Sequence, residues 1–433
     1  MSIRQTGYKL RLADKKLSEY LKLFGAVSVE GPKWCGKTWT SLNHANSVTY
    51  IMDPVGNYNN KARAELNPAL VLDGKTPHII DEWQEVPGIW DAVRFDIDKN
   101  PGLGKYILTG SVTPPRESYR HSGIGRIAIL RMRPMTLYES GDSLGNVSLA
   151  SLFSKKEIKP FAADIDLGHL VDITIRGGWP QTLNLPIKKA GIVSVEYINA
   201  LLKNELFRDD FRKKNFAKLQ ILLRSLARNN ATTVNDKTLT SDIDGEGRKT
   251  QSNTEITLSR NSVMDYTTDL KRIFVIEEIP GWNPGVRSKT RIRMSPKMMF
   301  ADPSLAVAAL GIGRQRLLED LNTYGFMFEN LCLRDLCAYA EFHDASLYHY
   351  RDNSNLEIDA IIEMKEGDWG AFEIKLGEHQ VEAAAQSLIR MKNKIVSSGA
   401  REPSCLAVIT GGGLGRKRKD GIYVIPINAL KPL

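Results

Sequence analysis

Residues 31–38 read Gly31-Pro32-Lys33-Trp34-Cys35-Gly36-Lys37-Thr38, which places two glycines, a lysine and a threonine in the order G-x-x-x-x-G-K-[ST]. That spacing suits phosphate. The glycines let the backbone curl until its N–H groups converge on phosphate oxygens, and the N-terminus of the helix that follows adds its positive dipole end. Lys37 then reaches the β- and γ-phosphates, and the Thr38 hydroxyl holds Mg²⁺. The chemistry expected of residues 31–38 is therefore binding of ATP with magnesium.

A second group reads His78-Ile79-Ile80-Asp81-Glu82, an apolar run ending in two acids. Asp81 suits the magnesium shell, and Glu82 suits polarisation of an attacking water. A third run, Tyr106-Ile107-Leu108-Thr109-Gly110-Ser111, ends in small polar residues. Thr109 or Ser111 can sense the γ-phosphate or position the water. Arg126 follows Gly125 and can act as a finger on a neighbouring subunit's ATP; a surface salt bridge is the alternative.

The third candidate lies near the C-terminal end of the sequence. Asp359 is followed by Glu373-Ile374-Lys375. Period-two geometry puts Glu373 and Lys375 on one face of a strand, and Asp359 on a neighbouring strand can point at the same spot. Asp359 and Glu373 can then hold a divalent ion, with Glu329 as a third carboxylate from a helix. Lys375 would stabilise or deprotonate a water while the metal polarises a phosphodiester. Gln386 lies on a helix that follows. A binding module that does not cut, or an exposed Glu/Lys pair on an edge strand, would carry the same residues.

The elements that must position these groups can be read in order. Residues 26–30 are a short apolar strand leading into the loop, and a helical stretch runs from Trp39. A parallel strand at 78–81 beside the first would bring Asp81 and Glu82 to the carboxyl edge of a sheet, where ligands sit. Residues 165–215 look helical and amphipathic, broken by Arg176-Gly177-Gly178-Trp179-Pro180. Glu205 to Lys214 is charge-rich, as a solvated helix face is. Helical patterns at 219–228, 238–243 and 259–270 precede a strand at 274–279 and a basic segment, 287–297. That is the order of a winged helix-turn-helix. In it Arg260, Asn261, Tyr266 and Thr267 sit on a recognition helix, and Arg287, Lys289, Arg291, Arg293 and Lys297 form a basic ribbon for phosphates. A helix at 324–340, strands at 346–350, 356–362 and 369–376, a helix carrying Gln380 and Gln386, and strands at 405–410 and 421–426 close the chain.

These strings together resemble a known family. GPKWCGKT, HIIDEWQEVPGIWDAVR, YILTGS and GRIAILRMRPMTLYE are similar to bacterial and archaeal AAA-type ATPases of the AAA_14 class, which carry a C-terminal DUF4143 region. The resemblance implies an ASCE-type P-loop fold with Glu82 as catalytic glutamate, Thr109 or Ser111 in the sensor position and an arginine at Arg126. It also implies a winged-helix-like unit. The Asp359, Glu373-x-Lys375 pattern is similar to PD-(D/E)xK nucleases, a resemblance that implies Glu329 and Gln386 as further positions of the set. Trp34 and Cys35 are bulkier than is usual in such a loop, which bears on turnover.

The expected architecture is α/β: an AAA-type P-loop parallel sheet at 1–160, a helical lid at 161–215, a winged-helix-like middle at 216–315 and an α/β nuclease-like domain at 316–433. Composition agrees with globular domains, for 42% of the 433 residues are hydrophobic and 25% charged. No apolar run approaches the ~20 residues that span a bilayer, and Met1–Lys16 lacks the apolar core of a signal peptide, so the cytosol is expected. The four cysteines make no CxxC pair, which argues against a zinc site. A net charge of +9 favours an anionic partner, DNA first. Three functions fit: an AAA-type ATPase acting on DNA, an ATP-gated nuclease, and a nucleotide switch that binds a protein partner.

Overall fold

Helix α1 (Leu12–Leu21) opens the fold, with the Arg11 backbone N–H donating to its first-turn Asp14 at 2.6 Å. The computed structural model describes residues 3, 5–114, 118, 120–205, 215–245, 259–285, 288, 291 and 294–433. It divides into two units, one of residues 1–135 with 272–274 and one of 136–271 with 275–433.

In the first unit, β1 (Ala26–Glu30) leads through the glycine loop into α2 (Lys37–His44). Then follow β2 (Ser47–Tyr50), α3 (Asn59–Leu66), β3 (His78–Asp81), α4 (Gly88–Lys99), β4 (Tyr106–Gly110) and β5 (Ile127–Arg131). All five strands run parallel in the order β2-β3-β4-β1-β5. The central strands β1 and β4 are buried along their whole length, as expected for a parallel sheet covered on both faces. Trp83, Ile89, Trp90, Val93 and Ile97 pack on Ala26, Ile80 and Leu108 to build the core of one face. The acidic strand β3 does not lie beside β1, as the sequence suggested. β4 is inserted between them, pairing with β1 on one edge and β3 on the other and buried along its whole length. Helix α2 also begins earlier than expected, at Lys37.

The second unit begins with α5 (Leu137–Ser140), β6 (Val147–Ser148), α6 (Leu149–Phe153) and β7 (Phe161–Ala163). Helices α7 (Leu167–Arg176), α8 (Ile187–Ala200), α9 (Phe216–Arg228), α10 (Asp236–Gly245) and α11 (Arg260–Arg272) follow. Strands β8 (Ile276–Ile279) and β9 (Lys297–Phe300) pair antiparallel as a two-stranded ribbon. After α12 (Pro303–Leu310), α13 (Arg314–Glu319) and the long α14 (Leu321–Phe342) come β10 (Ser346–Arg351), β11 (Glu357–Glu363), β12 (Trp369–Lys375), α15 (Val381–Ser397), β13 (Cys405–Thr410), β14 (Gly413–Lys417), β15 (Tyr423–Pro426) and β16 (Leu430–Lys431). A seven-stranded mixed sheet runs β10-β11-β12-β13-β15-β14-β7. Val381, Ala384, Leu388, Met391 and Ile395 of α15 pack at helical spacing on Ile361, Ala371 and Val408 of that sheet.

A buried ion network ties this unit together. Arg334 on α14 donates to Asp302 at 2.8 Å and to Asp335 at 2.8 and 2.9 Å. Asp335 in turn accepts the Leu137 N–H, and Asp302 the Gly178 N–H, both at 2.9 Å. The Arg176–Pro180 break is thus a turn locked onto the cap of α12.

Several expectations for the middle of the chain change. Tyr266 and Thr267 are buried on α11 rather than presented to DNA, and the Tyr266 hydroxyl accepts the Asn215 N–H at 3.1 Å. Arg260 and Asn261 stay exposed. Arg287, Lys289 and Arg293 of the expected basic ribbon, and residues 206–214, lie outside the described residues. Arg291 is turned inward, paired with Glu363 and set over the Tyr348 ring. Lys297 is buried on β9. Both cations are neutralised within the unit, so neither lies on a solvated ribbon. Among the described residues, no helix is long and apolar enough to cross a membrane.

Candidate functional site

The loop between β1 and α2 is shaped by its glycines. A Cβ at Gly31 would come within 2.0 Å of the Met132 carbonyl oxygen, so only glycine permits that approach. Gly36 caps α2 with φ 103°, a conformation that side chains disfavour. Lys37 is buried, its Nζ donating to the Gly31 and Pro32 carbonyls at 3.0 and 2.8 Å. Cys35 is buried against the Met132 carbonyl, whereas Trp34 is half exposed and adopts φ 66°. Lys33 lies in the same turn, partly exposed.

At the carboxyl edge of the sheet the expected polar residues meet in one chain of hydrogen bonds. The Thr38 hydroxyl donates to Asp81 Oδ1 at 2.9 Å, and the Thr109 hydroxyl donates to the same oxygen. The Glu82 N–H donates to Thr109 Oγ1 at 3.3 Å. The Glu82 carboxylate accepts from Ser111 at 3.2 Å and from the Gln84 amide. Burial pushes the Asp81 carboxyl up and the charge of Glu82 adds to it, while hydrogen bonds from Thr109 and Thr38 and the charge of Lys37 oppose the rise. Thr38 and Asp81 present paired oxygen donors, the set a hard cation takes.

Arg126 is not part of this group. It stands at the amino end of β5, about half exposed and paired with Asp98 at 2.8 Å, at the opposite edge of the sheet from Asp81. Two residues that the sequence did not single out do belong. Gln84 holds Glu82. Arg11 braces the loop, donating from Nη1 to the Cys35 carbonyl at 2.5 Å and from Nη2 to the Arg133 carbonyl at 2.9 Å. The signal for Gln84 was its place two residues after Glu82; Arg11 gave none, being one cation in a basic segment.

In the second unit, Asp359 and Glu373 face each other across β11 and β12, whose register pairs Ala360 with Phe372. Asp359 Oδ2 accepts the Ile374 N–H at 2.8 Å and the Lys375 Nζ at 3.0 Å, and Lys375 also reaches Glu373 Oε2 at 2.6 Å. Glu329 of α14 joins them through a residue not foreseen. Lys297 Nζ lies 2.5 Å from Glu329 Oε1 and 3.8 Å from Asp359 Oδ1. Burial alone would raise every carboxyl here. Lys375 and Lys297 nevertheless hold Asp359 well below the usual range, while Glu373 is driven up by burial and by the charge of Asp359. Burial and the Asp359 charge push Glu329 to about 7 against the pull of Lys297.

Glu329, Asp359 and Glu373 therefore face ammonium groups, and among the described residues no set of three His, Cys, Asp or Glu side chains is arranged to hold a metal. This arrangement does not fit the divalent ion expected there. Gln386 is also absent from the group, being exposed and donating to Glu382 at 3.1 Å. Ser387 and the exposed Arg390 and Lys394 of α15 line a cleft of about 640 Å³ with Asp359, Glu373 and Lys375.

Comparison with known proteins divides the chain into three matched stretches. Residues 24–140 match an AAA domain (AAA_14), 167–316 a domain of unknown function (DUF8612) and 324–430 a second domain of unknown function (DUF4143). Two uncharacterized proteins, from Mycobacterium tuberculosis and Mycobacterium bovis, are each 23% identical over 368 residues, covering 84% of this chain and 73% of the relative. Among solved structures, a Walker-type ATPase of Pyrococcus abyssi is similar with a TM-score of 0.41 and 16% identity, over 71% of this chain and 97% of that one. Drosophila ORC bound to DNA scores 0.23 at 14% identity, over 72% of this chain and 94% of that one.

Proposed function

From an AAA_14 domain at 24–140 and a DUF4143 region at 324–430 in one chain, we propose an ATPase that hydrolyses Mg²⁺-ATP and uses it to act on DNA. The observation that carries the reading is the hydrogen-bonded run Thr38–Asp81–Thr109–Glu82–Ser111 beside a glycine loop and a helix N-terminus.

Lys37 leaves the Gly31 and Pro32 carbonyls for the β- and γ-phosphates, exchanging neutral acceptors for charged ones. The backbone from Gly31 to Thr38 cradles the phosphates. Thr38 and Asp81 hold the magnesium of the substrate. Glu82 accepts a proton from water as the water oxygen attacks the γ-phosphorus and the bond to the ADP oxygen breaks. Ser111 and Gln84 aim the Glu82 carboxylate, and Thr109 joins it to Asp81. Arg126, at the far edge of its own sheet, serves only a neighbouring copy's nucleotide in this reading.

The second unit is where DNA is handled. A net charge of +9 favours an anionic partner, and the exposed Arg390 stands at the cleft of the C-terminal sheet, beside a Lys394 paired with Asp352. Equilibrium titration of the full chain tests both halves. Lys37→Ala abolishes ATP binding, and duplex DNA binding by the wild type weakens about tenfold or more between 50 and 200 mM salt. Retained ATP affinity refutes the nucleotide site, and DNA binding that ignores salt refutes the phosphate contacts in favour of a protein partner.

A further inference from the structure

Glu329, Asp359 and Glu373 come from a helix and two strands, and each has a carboxylate oxygen within 2.5–3.8 Å of a lysine ammonium. Lys375 belongs to the strand that carries Glu373, but Lys297 comes from β9, in a separate two-stranded ribbon. Its backbone position is set by that ribbon, where it pairs with Ile279. Its side chain is 10% exposed. A buried ammonium is tolerated only with carboxylates around it, and buried carboxylates only with cations.

We propose that Lys297 is a tethered cation, its ammonium standing where a divalent ion would bridge Glu329 and Asp359, so that the cluster excludes metal. Both oxygens of Asp359 are engaged, Oδ1 by Lys297 and Oδ2 by Lys375 and the Ile374 N–H. A divalent ion needs free carboxylate oxygens at about 2.0–2.6 Å. Entry of the ion strands Lys297 among charges of its own sign, with its backbone held in the ribbon. A covalently attached ammonium cannot be chelated away or diluted, so the local concentration of this counter-ion is always high. The three acids then keep the packing of α14 against the sheet and the strand pairing of β11 with β12 without an exchangeable ion. The inference concerns the second unit alone and stands whether or not the first hydrolyses ATP.

Titration of the nucleotide-free full chain with Mn²⁺, reading free Mn²⁺ by electron paramagnetic resonance, tests it. Wild type, Asp359→Asn and Glu329→Gln give superimposable curves. Lys297→Met gains one saturable site at least about tenfold tighter than any in wild type, and the double variant with Asp359→Asn loses it. A Mn²⁺ site in wild type that disappears in Asp359→Asn or Glu329→Gln overturns the proposal. So does a folded Lys297→Met protein whose curve matches wild type. If Lys297→Met does not fold, the wild-type and carboxylate-variant curves still decide.

Discussion

Glu82 illustrates how much of a catalytic group lies in its neighbours. Its carboxylate is gripped by the Gln84 amide and the Ser111 hydroxyl, and its N–H is bonded to Thr109. Hydrogen bonds to a charged acceptor are worth about 1.5–3 kcal/mol, so releasing one misaims the base rather than removing it. Gln84→Ala should lower kcat for ATP about tenfold with KM within about twofold, since no phosphate contact is lost. Steady-state phosphate release reads both constants; an unchanged kcat removes Gln84 from the site. Gly31 and Lys37 could be read in the sequence because type and spacing sit in one short string, and Asp81 and Glu82 because they close a second short apolar run. Lys297 was not. It looks like one of several cations in a basic run, and only folding reveals that two distant acids surround it.

Strand β10 carries an irregularity between Tyr348 and Tyr350, and His349 sits in it. The imidazole Nε2 donates to the Ser295 carbonyl at 3.0 Å, and the His349 backbone bonds Pro280 and Trp282. Burial, helped by the positive charge of Lys297, lowers the His349 pKa from 6.5 to about 4. The folded ring stays neutral while the unfolded ring takes a proton, so this contribution is present above pH 6.5 and is lost as pH falls towards 4. Between pH 7 and 4.5 the loss is about 2 kcal/mol. His349→Gln should flatten the pH dependence of urea unfolding by about that amount; parallel wild-type and variant profiles contradict it. Among elements, strands β1, β3 and β4 and helices α9 to α11 were readable from periodicity and from their flanking turns. Sheet order was not, because β3 and β4 carry equally apolar runs and only lateral packing decides which of them pairs with β1. Tyr266 and Thr267 failed for a related reason, since a polar side chain on a helix is buried when a neighbouring segment covers it.

The whole molecule joins an AAA-type parallel sheet to a second α/β unit whose acidic cluster carries its own cations. The first half was legible as chemistry because nucleotide sites are built from contiguous loops at a sheet edge. The second was legible as a set of carboxylates and a lysine, but its charge balance depends on residues from separate elements. Everything proposed for the chain as a machine rests on turnover at the first site. The most direct test is Glu82→Gln in Mg²⁺-ATP, measuring phosphate release and the nucleotide retained after rapid gel filtration, with Lys37→Ala as the control that binds nothing. Phosphate release should fall by about 10²–10⁴ while Glu82→Gln retains intact ATP. Hydrolysis at the wild-type rate by Glu82→Gln, or its loss of ATP along with Lys37→Ala, contradicts the assignment of Glu82 as the base.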